Sequence, residues 1–190
     1  MSFALIFDWE TTGLPLHPDA PLRKQPRVIE FGGVLVDSAR KAIVSEHSWL
    51  VNPGVPLEPI ITKITGLTDA DLADAPPFAE LLPRVRDLFG RASVMVAHNL
   101  PFDHFLLQLE LQRLNAEADF PWPAGALCTV QTYRPEWGKR PTLKELYAHV
   151  TGQPLAQTHR ALDDCKALAE IVLKENLLDL FNIPATAGQD

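Results

Sequence analysis

A chain of 190 residues and 21.1 kDa is long enough for one domain with its own core. Its 46% hydrophobic and 22% charged residues exclude a chain that is disordered throughout. A net charge of −7 excludes coating nucleic acid by bulk charge, and leaves local basic patches or bound cations as the means of holding a polyanion.

The chain opens with Phe3-Ala-Leu-Ile-Phe7, a continuous apolar run that predicts a strand buried on both faces. Asp8 ends the run far short of the roughly 20 residues of a membrane span. The run is also too short for a signal-peptide core, and no basic residue precedes it. A proline-containing loop follows from Leu14 to Pro26. Arg27 to Asp37 and Ala42 to Val51 are rich in Val and Ile around a polar turn, and predict a hairpin. Phe78, Leu81, Leu82, Val85, Leu88 and Phe89 have helical spacing over Pro76 to Phe89. Ser93 to Ala97 predicts a short buried strand, and Phe102, Phe105, Leu106, Leu109 and Leu114 mark the next helix. After a second loop, Phe120 to Pro123, the run Leu127 to Thr132 predicts a strand. Thr142 to Val150 predicts a short helix capped by Thr142, with Glu145 three residues on. Ala161, Leu162, Cys165, Leu168, Ala169 and Val172 give the last helix an apolar face.

Hairpin strands followed by βα units imply an α/β fold, a mixed sheet with helices on its faces. The expected organisation is a single domain over residues 1–182 and a flexible tail over 183–190, where nothing can be buried. Cys128 and Cys165 are too few for a disulfide framework or a four-cysteine zinc site. They predict small buried side chains kept reduced, in a cytoplasmic protein.

Three segments hold acids where chemistry could use them. Asp8 and Glu10 are i and i+2 on a strand, so both carboxylates project to one face and repel unless a cation lies between them. His98-Asn-Leu-Pro-Phe-Asp103 follows a strand and opens a helix, with Asp103 in the first turn. His159-Arg-Ala-Leu-Asp-Asp164 opens the last helix. Each has a bland explanation, since acids are favoured at helix N-termini; the combination is what tells. Oxygen ligands select Mg²⁺ or Mn²⁺ over Zn²⁺. Two such ions about 3.5–4 Å apart can clamp the attacking and leaving oxygens of a phosphodiester. A histidine titrates near neutral pH, which suits it to take a proton from attacking water.

These segments, in this order, resemble the motifs of the DEDDh (DnaQ-like) exonucleases, the family of the proofreading epsilon subunit of DNA polymerase III. Asp-x-Glu-Thr-x-Gly matches Asp8 to Gly13, His-Asn-x-x-Phe-Asp matches His98 to Asp103, and His-x-Ala-x-x-Asp matches His159 to Asp164. The resemblance covers Phe3 to about Leu178 and implies a ribonuclease H-like fold with a mixed five-stranded sheet flanked by helices. It implies 3′→5′ removal of nucleoside monophosphates with two Mg²⁺ ions, for which Mn²⁺ substitutes. The implied metal ligands are Asp8, Glu10, Asp103 and Asp164, with His159 as general base. Arg160 excludes the sister group that carries a tyrosine there. Trp9 should point away from the metals, by strand alternation.

The implied nucleic-acid contacts are Thr11, Thr12 and Leu14 beneath the 3′-terminal nucleotide, Ile64 and Thr65 of Ile64-Thr-Gly-Leu-Thr68, and His98, Asn99 and Phe102 of the second motif. Two basic stretches flank the motifs. One holds Arg23, Lys24 and Arg27; the other holds Lys139 and Arg140 beside Trp137 and Gly138, which reads as a mobile loop whose aromatic stacks on a base. The expected partner is single-stranded or 3′-frayed nucleic acid, DNA before RNA, together with a DNA polymerase or a second copy of the chain, and no membrane. The alternatives are trimming of RNA 3′ ends and a non-catalytic nucleic-acid-binding or polymerase-associated subunit. Intact acids favour catalysis over the second.

Overall fold

Strand alternation builds the centre of the molecule. In a computed structural model, which describes residues 2–156 and 158–181, Phe3–Thr11 form strand β1. Odd residues Leu5, Phe7 and Trp9 pack with Phe31, Phe78 and Leu106, whereas Ala4 and Ile6 pack with Val34, Val94 and Leu168. β1 is therefore sandwiched between two helical layers, as its unbroken apolar run requires.

Val28–Asp37 form β2 and Ala42–Leu50 form β3, an antiparallel hairpin paired to β1 through β2. Ala92–Ala97 form β4, parallel to β1, and Gly125–Cys128 form β5, parallel to β4. The sheet order is β3-β2-β1-β4-β5, the expected mixed five-stranded sheet. Helices α3 (Phe78–Arg91) and α4 (Leu100–Arg113) supply the layer packed on the odd face of β1. Helices α6 (Leu143–Thr151) and α7 (Ala161–Lys174) supply the layer on the even face. Thr142 and Glu145 form the expected capping box on α6.

Four features differ from the sequence expectations. β1 runs on to Thr11, so Asp8 and Glu10 lie within the strand rather than at the end of its apolar run. Leu127 to Thr132 is not one strand: β5 ends at Cys128, and α5 spans Thr129–Trp137. The β-branched composition of that stretch favours a strand, but Val130 and Tyr133 bury at helical spacing, and the Thr132 hydroxyl donates to the Cys128 carbonyl across one turn. Trp137 is consequently not on a mobile loop. It ends α5, half-buried on the core and edge-on to His149 at 5.3 Å, and Gly138 closes the helix at φ 65°. Two short helices are additional, α1 (Pro59–Thr65) and α2 (Asp69–Leu72); Pro59 at the first position and the Thr68–Asp71 capping box are their sequence signals. The expected tail, 183–190, lies outside the described residues.

One contact fixes where α7 sits. Gly32 of β2 lies under the first residues of α7, and a Cβ there would fall 2.2 Å from the Ala161 carbonyl carbon and 2.4 Å from the Leu162 nitrogen. Backbone rests on backbone, so neither side has a flexible group to move. Gly32→Ala should lower Tm by roughly 6–12 °C, the equivalent of about 3 kcal/mol of overpacking in a chain of this size. An unchanged thermal melt would mean that α7 can shift on the sheet at no cost.

Candidate active site

β1 outruns its parallel neighbour. Its pairing with β4 ends at Ile6 opposite Val96, so Asp8 and Glu10 stand where β4 has already turned away. That is the crevice at the carboxyl ends of parallel strands, where open α/β sheets bind ligands. The chain leaves β4 through His98 and Asn99, with Asn99 left-handed at φ 79°, and Asp103 falls in the first turn of α4. On the opposite face Gly32, paired with Asp8, seats α7, and Asp164 falls in its first turn.

Asp8, Glu10 and Asp164 each place a carboxylate oxygen within 4.8 Å of the others. Asp103 lines the same cavity, of about 420 Å³, and is 1% exposed. Its Oδ1 accepts a hydrogen bond from the Trp9 backbone N–H at 3.2 Å, tying the first motif to the second. The Trp9 ring lies in the apolar layer, 4.7 Å from Phe31 between centroids. Of the two adjacent acids on α7, Asp164 joins the cluster; Asp163 is exposed and accepts from the Thr158 hydroxyl at 2.7 Å.

The electrostatics are those of crowded carboxylates. Burial, then the charges of Asp164 and Glu30, raise the Asp8 pKa from 3.8 to about 7. Burial, then Asp8, Asp164 and Glu30, raise Glu10 from 4.5 to about 9, with Arg160 pulling the other way. Burial and Asp8 raise Asp103. Cys165 lines the cavity too, but burial and the surrounding acids push its thiol up, so it offers no thiolate. An all-oxygen donor set whose members repel one another fits hard divalent cations.

Both motif histidines line this cavity, in different surroundings. The His98 Nε2 lies 3.1 Å from the Pro141 carbonyl and its Nδ1 lies 2.9 Å from the Thr129 hydroxyl. A carbonyl only accepts, so Nε2 carries the proton and Nδ1 accepts from Thr129. Burial also lowers the His98 pKa, which favours that neutral ring. His98 is thus a strut between β4, α5 and the segment leading into α6. His159 is exposed at the mouth of the cavity, with a left-handed backbone at φ 52°. Asn99 and Phe102 complete the predicted residues gathered here.

Thr12, Leu14 and Ile64 line a neighbouring groove of about 680 Å³. Leu14 is 79% exposed, and Leu16, Val55 and Ile60 add exposed apolar surface that the sequence motifs do not mark. Arg23 and Lys24 lie on this groove; Arg27 and Arg113 also line it, and both bond the buried Glu110. Thr11 and Thr65 use their hydroxyls locally, donating to the carbonyls of Gly13 and Ile61. Lys139 pairs with Glu145, and Arg140 donates to the Asn99 side chain. The motifs leave Glu30 and Arg160 unmarked as well. A single acid in the otherwise apolar Val28–Val36 run is the signal that sequence offers for them.

A five-stranded mixed sheet with acids from β1, α4 and α7 meeting at its parallel strand ends is the architecture of the ribonuclease H-like exonucleases. The chain belongs to that exonuclease family, whose RNase_T exonuclease model matches residues 5–172. It is 31% identical over 165 residues to the DNA polymerase III subunit epsilon of Treponema pallidum (strain Nichols), covering 87% of this chain and 72% of that one. It is 32% identical over 171 residues to a PolC-type DNA polymerase III of Caldanaerobacter subterraneus subsp. tengcongensis, covering 90% of this chain but only 11% of the relative. Among solved structures, Exonuclease X in complex with 5′ overhanging duplex DNA superposes with a TM-score of 0.67 at 25% identity, over 96% of this chain and 95% of that one. The nuclease domain of a DEDDh family member bound to rAMP shares the fold, with a TM-score of 0.70 at 18% identity over 100% of this chain and 97% of that one. Among the described residues no helix is long and apolar enough to cross a membrane.

Proposed function

We propose that this exonuclease removes nucleoside monophosphates from 3′ ends of DNA, with Asp8, Glu10, Asp103 and Asp164 holding Mg²⁺, or Mn²⁺ in its place. The observation that carries the reading is one cavity lined by all four acids and by an exposed histidine. Bound there, the cations would supply Lewis-acid stabilisation of charge on the phosphodiester oxygens. The chain's own residues do the rest. The acids fix the site at the strand ends, and His159, at the mouth, takes the proton of the attacking water. Leu14 and Ile64 flank the terminal base, and the backbone of the strand passes Arg23 and Lys24 on the groove. DNA is favoured over RNA by the likeness to an epsilon subunit and to an exonuclease solved in complex with duplex DNA. Docking to a replicative polymerase belongs to the same proposal and rests on the epsilon likeness alone.

The test is digestion of matched 3′-tailed DNA and RNA, single- and double-stranded, with Mg²⁺ or EDTA. Mononucleotides released from 3′-labelled DNA only with the metal present would support it. Faster cleavage of RNA would transfer the activity to RNA ends, and no cleavage of either would leave a binding subunit.

The grip on the strand can be tested separately. Arg23→Ala combined with Lys24→Ala should raise KM several-fold and leave kcat near normal. The log–log salt slope of single-strand binding should become shallower by about 0.7 for each phosphate that the variant no longer neutralises. These two cations are chosen because Arg27 bonds Glu110, Lys139 bonds Glu145 and Arg140 bonds Asn99. If KM and slope stay put, the groove does not carry the strand.

A further inference from the structure

An ion pair with one buried partner, Glu30–Arg160, adjoins the proposed base in the chain. Glu30 is 1% exposed in the interior of β2. Its carboxylate accepts Arg160 Nε at 3.2 and 3.0 Å and Arg160 Nη2 at 2.7 Å, a bidentate pairing. The same carboxylate accepts the Ala161 backbone N–H at 3.3 Å and the Ser48 hydroxyl at 3.4 Å. Arg160 in turn offers its carbonyl to the Asp164 N–H, the first hydrogen bond of α7. On the other side of His159, the Thr158 hydroxyl is held by Asp163. Both chain neighbours of His159 are therefore anchored, while His159 itself has the left-handed φ of 52°. A non-glycine residue in that region is strained and persists only where its surroundings over-determine it. Pairs of this kind contribute little net stability, because desolvation of the carboxylate offsets the attraction. Registry is what such a pair can supply.

We infer that Glu30 and Arg160 are positioning residues: their ion pair, with Gly32 beneath Ala161, holds the segment that presents His159 to the acidic cavity. The inference rests on His159 being the base. Its rival is direct contact of Arg160 with a substrate phosphate, since the arginine side chain is 41% exposed.

A double-mutant cycle separates these. Arg160→Lys keeps the charge but loses the bidentate fork. It should lower kcat by about 10²-fold, the scale of a misplacement of about 1 Å. KM and the Mn²⁺ dissociation constant measured by calorimetry should stay within about threefold. Hydrogen exchange should quicken at the Ala161 and Asp164 amides. In a His159→Ala background the same change should alter kcat by less than about twofold, because a residue acting through His159 has nothing left to position. A raised KM with kcat preserved would give Arg160 to the substrate. Equal losses in both backgrounds, or normal kcat in both, would also overturn the inference. Should Arg160→Lys fail to fold at the assay temperature, Glu30→Gln, which keeps the side-chain volume, carries the same cycle. If His159→Ala is itself fully active, it is the base assignment that fails. An impaired His159→Ala beside a normal Arg160→Lys removes the positioning role alone.

Discussion

Asp8→Asn is expected to lower exonuclease activity by roughly 10³-fold or more, the loss that follows when a site for charge stabilisation is dismantled. In metal-free protein the same change is expected to raise thermal stability. The cause is the crowding of Asp8, Glu10 and Asp164 within 4.8 Å. Asp8 has its pKa raised from 3.8 to about 7 and Glu10 from 4.5 to about 9. Between the ordinary and the raised values the folded protein binds more protons than the unfolded chain, so stability falls as pH rises. The favourable contribution is complete below about pH 4 and is lost as pH climbs through 7 and 9. Wild-type Tm in EDTA should therefore decline from pH 5 to pH 9, apart from any acid unfolding below that range. Asp8→Asn should flatten the decline, and Mg²⁺ should reverse it in wild type only, because ions that bind the folded state stabilise it by mass action. Calorimetry across that range, with and without metal, is the measurement. A destabilised Asp8→Asn at pH 8 in EDTA would show that the carboxylates are not in conflict.

The second large effect belongs to His159. His159→Ala is expected to lower kcat by about 10²–10⁴-fold, the range for loss of a general base. Metal binding should survive. The acids within 4.8 Å of one another do not need the imidazole, and His159 stands exposed at the cavity mouth. His98 cannot take over, because the Pro141 carbonyl and the Thr129 hydroxyl engage its two nitrogens. Mn²⁺ should therefore raise the Tm of His159→Ala as it does that of wild type. A variant that loses the metal-induced shift along with its activity would make His159 part of the cation site instead of a base.

The sheet and the acids are legible in the sequence for related reasons. The apolar run Phe3–Phe7, the Val-rich hairpin and the i, i+2 spacing of Asp8 and Glu10 are local patterns that tertiary structure only has to bring together. What escapes depends on packing between distant segments. Thr129–Trp137 carries β-branched residues yet folds as a helix, because Val130 and Tyr133 find a buried face there. The Glu30–Arg160 pair joins positions 130 residues apart, and nothing in either local sequence names the other. By composition Trp137 is a stacking platform in a basic loop, yet it packs on the core at the end of α5. The second motif marks His98 as a substrate contact, and only the folded arrangement engages both its ring nitrogens with protein groups. The apolar groove beside Leu14 needs the loop after β1 and helix α1 to lie side by side, an arrangement with no periodicity to read.

Asp8 lies on β1 and Asp164 on α7, and the seat between them is a glycine of β2. During synthesis, N-terminal segments emerge and begin to fold first. A nascent chain that has exposed the whole sheet, but still holds residues 159–164 within the ribosome, presents Asp8 and Glu10 without their third partner and without the histidine. The three-acid cluster is completed when α7 docks on Gly32. A chain that stops short of Asp164 can therefore hold the whole sheet and still lack the complete cluster of acids.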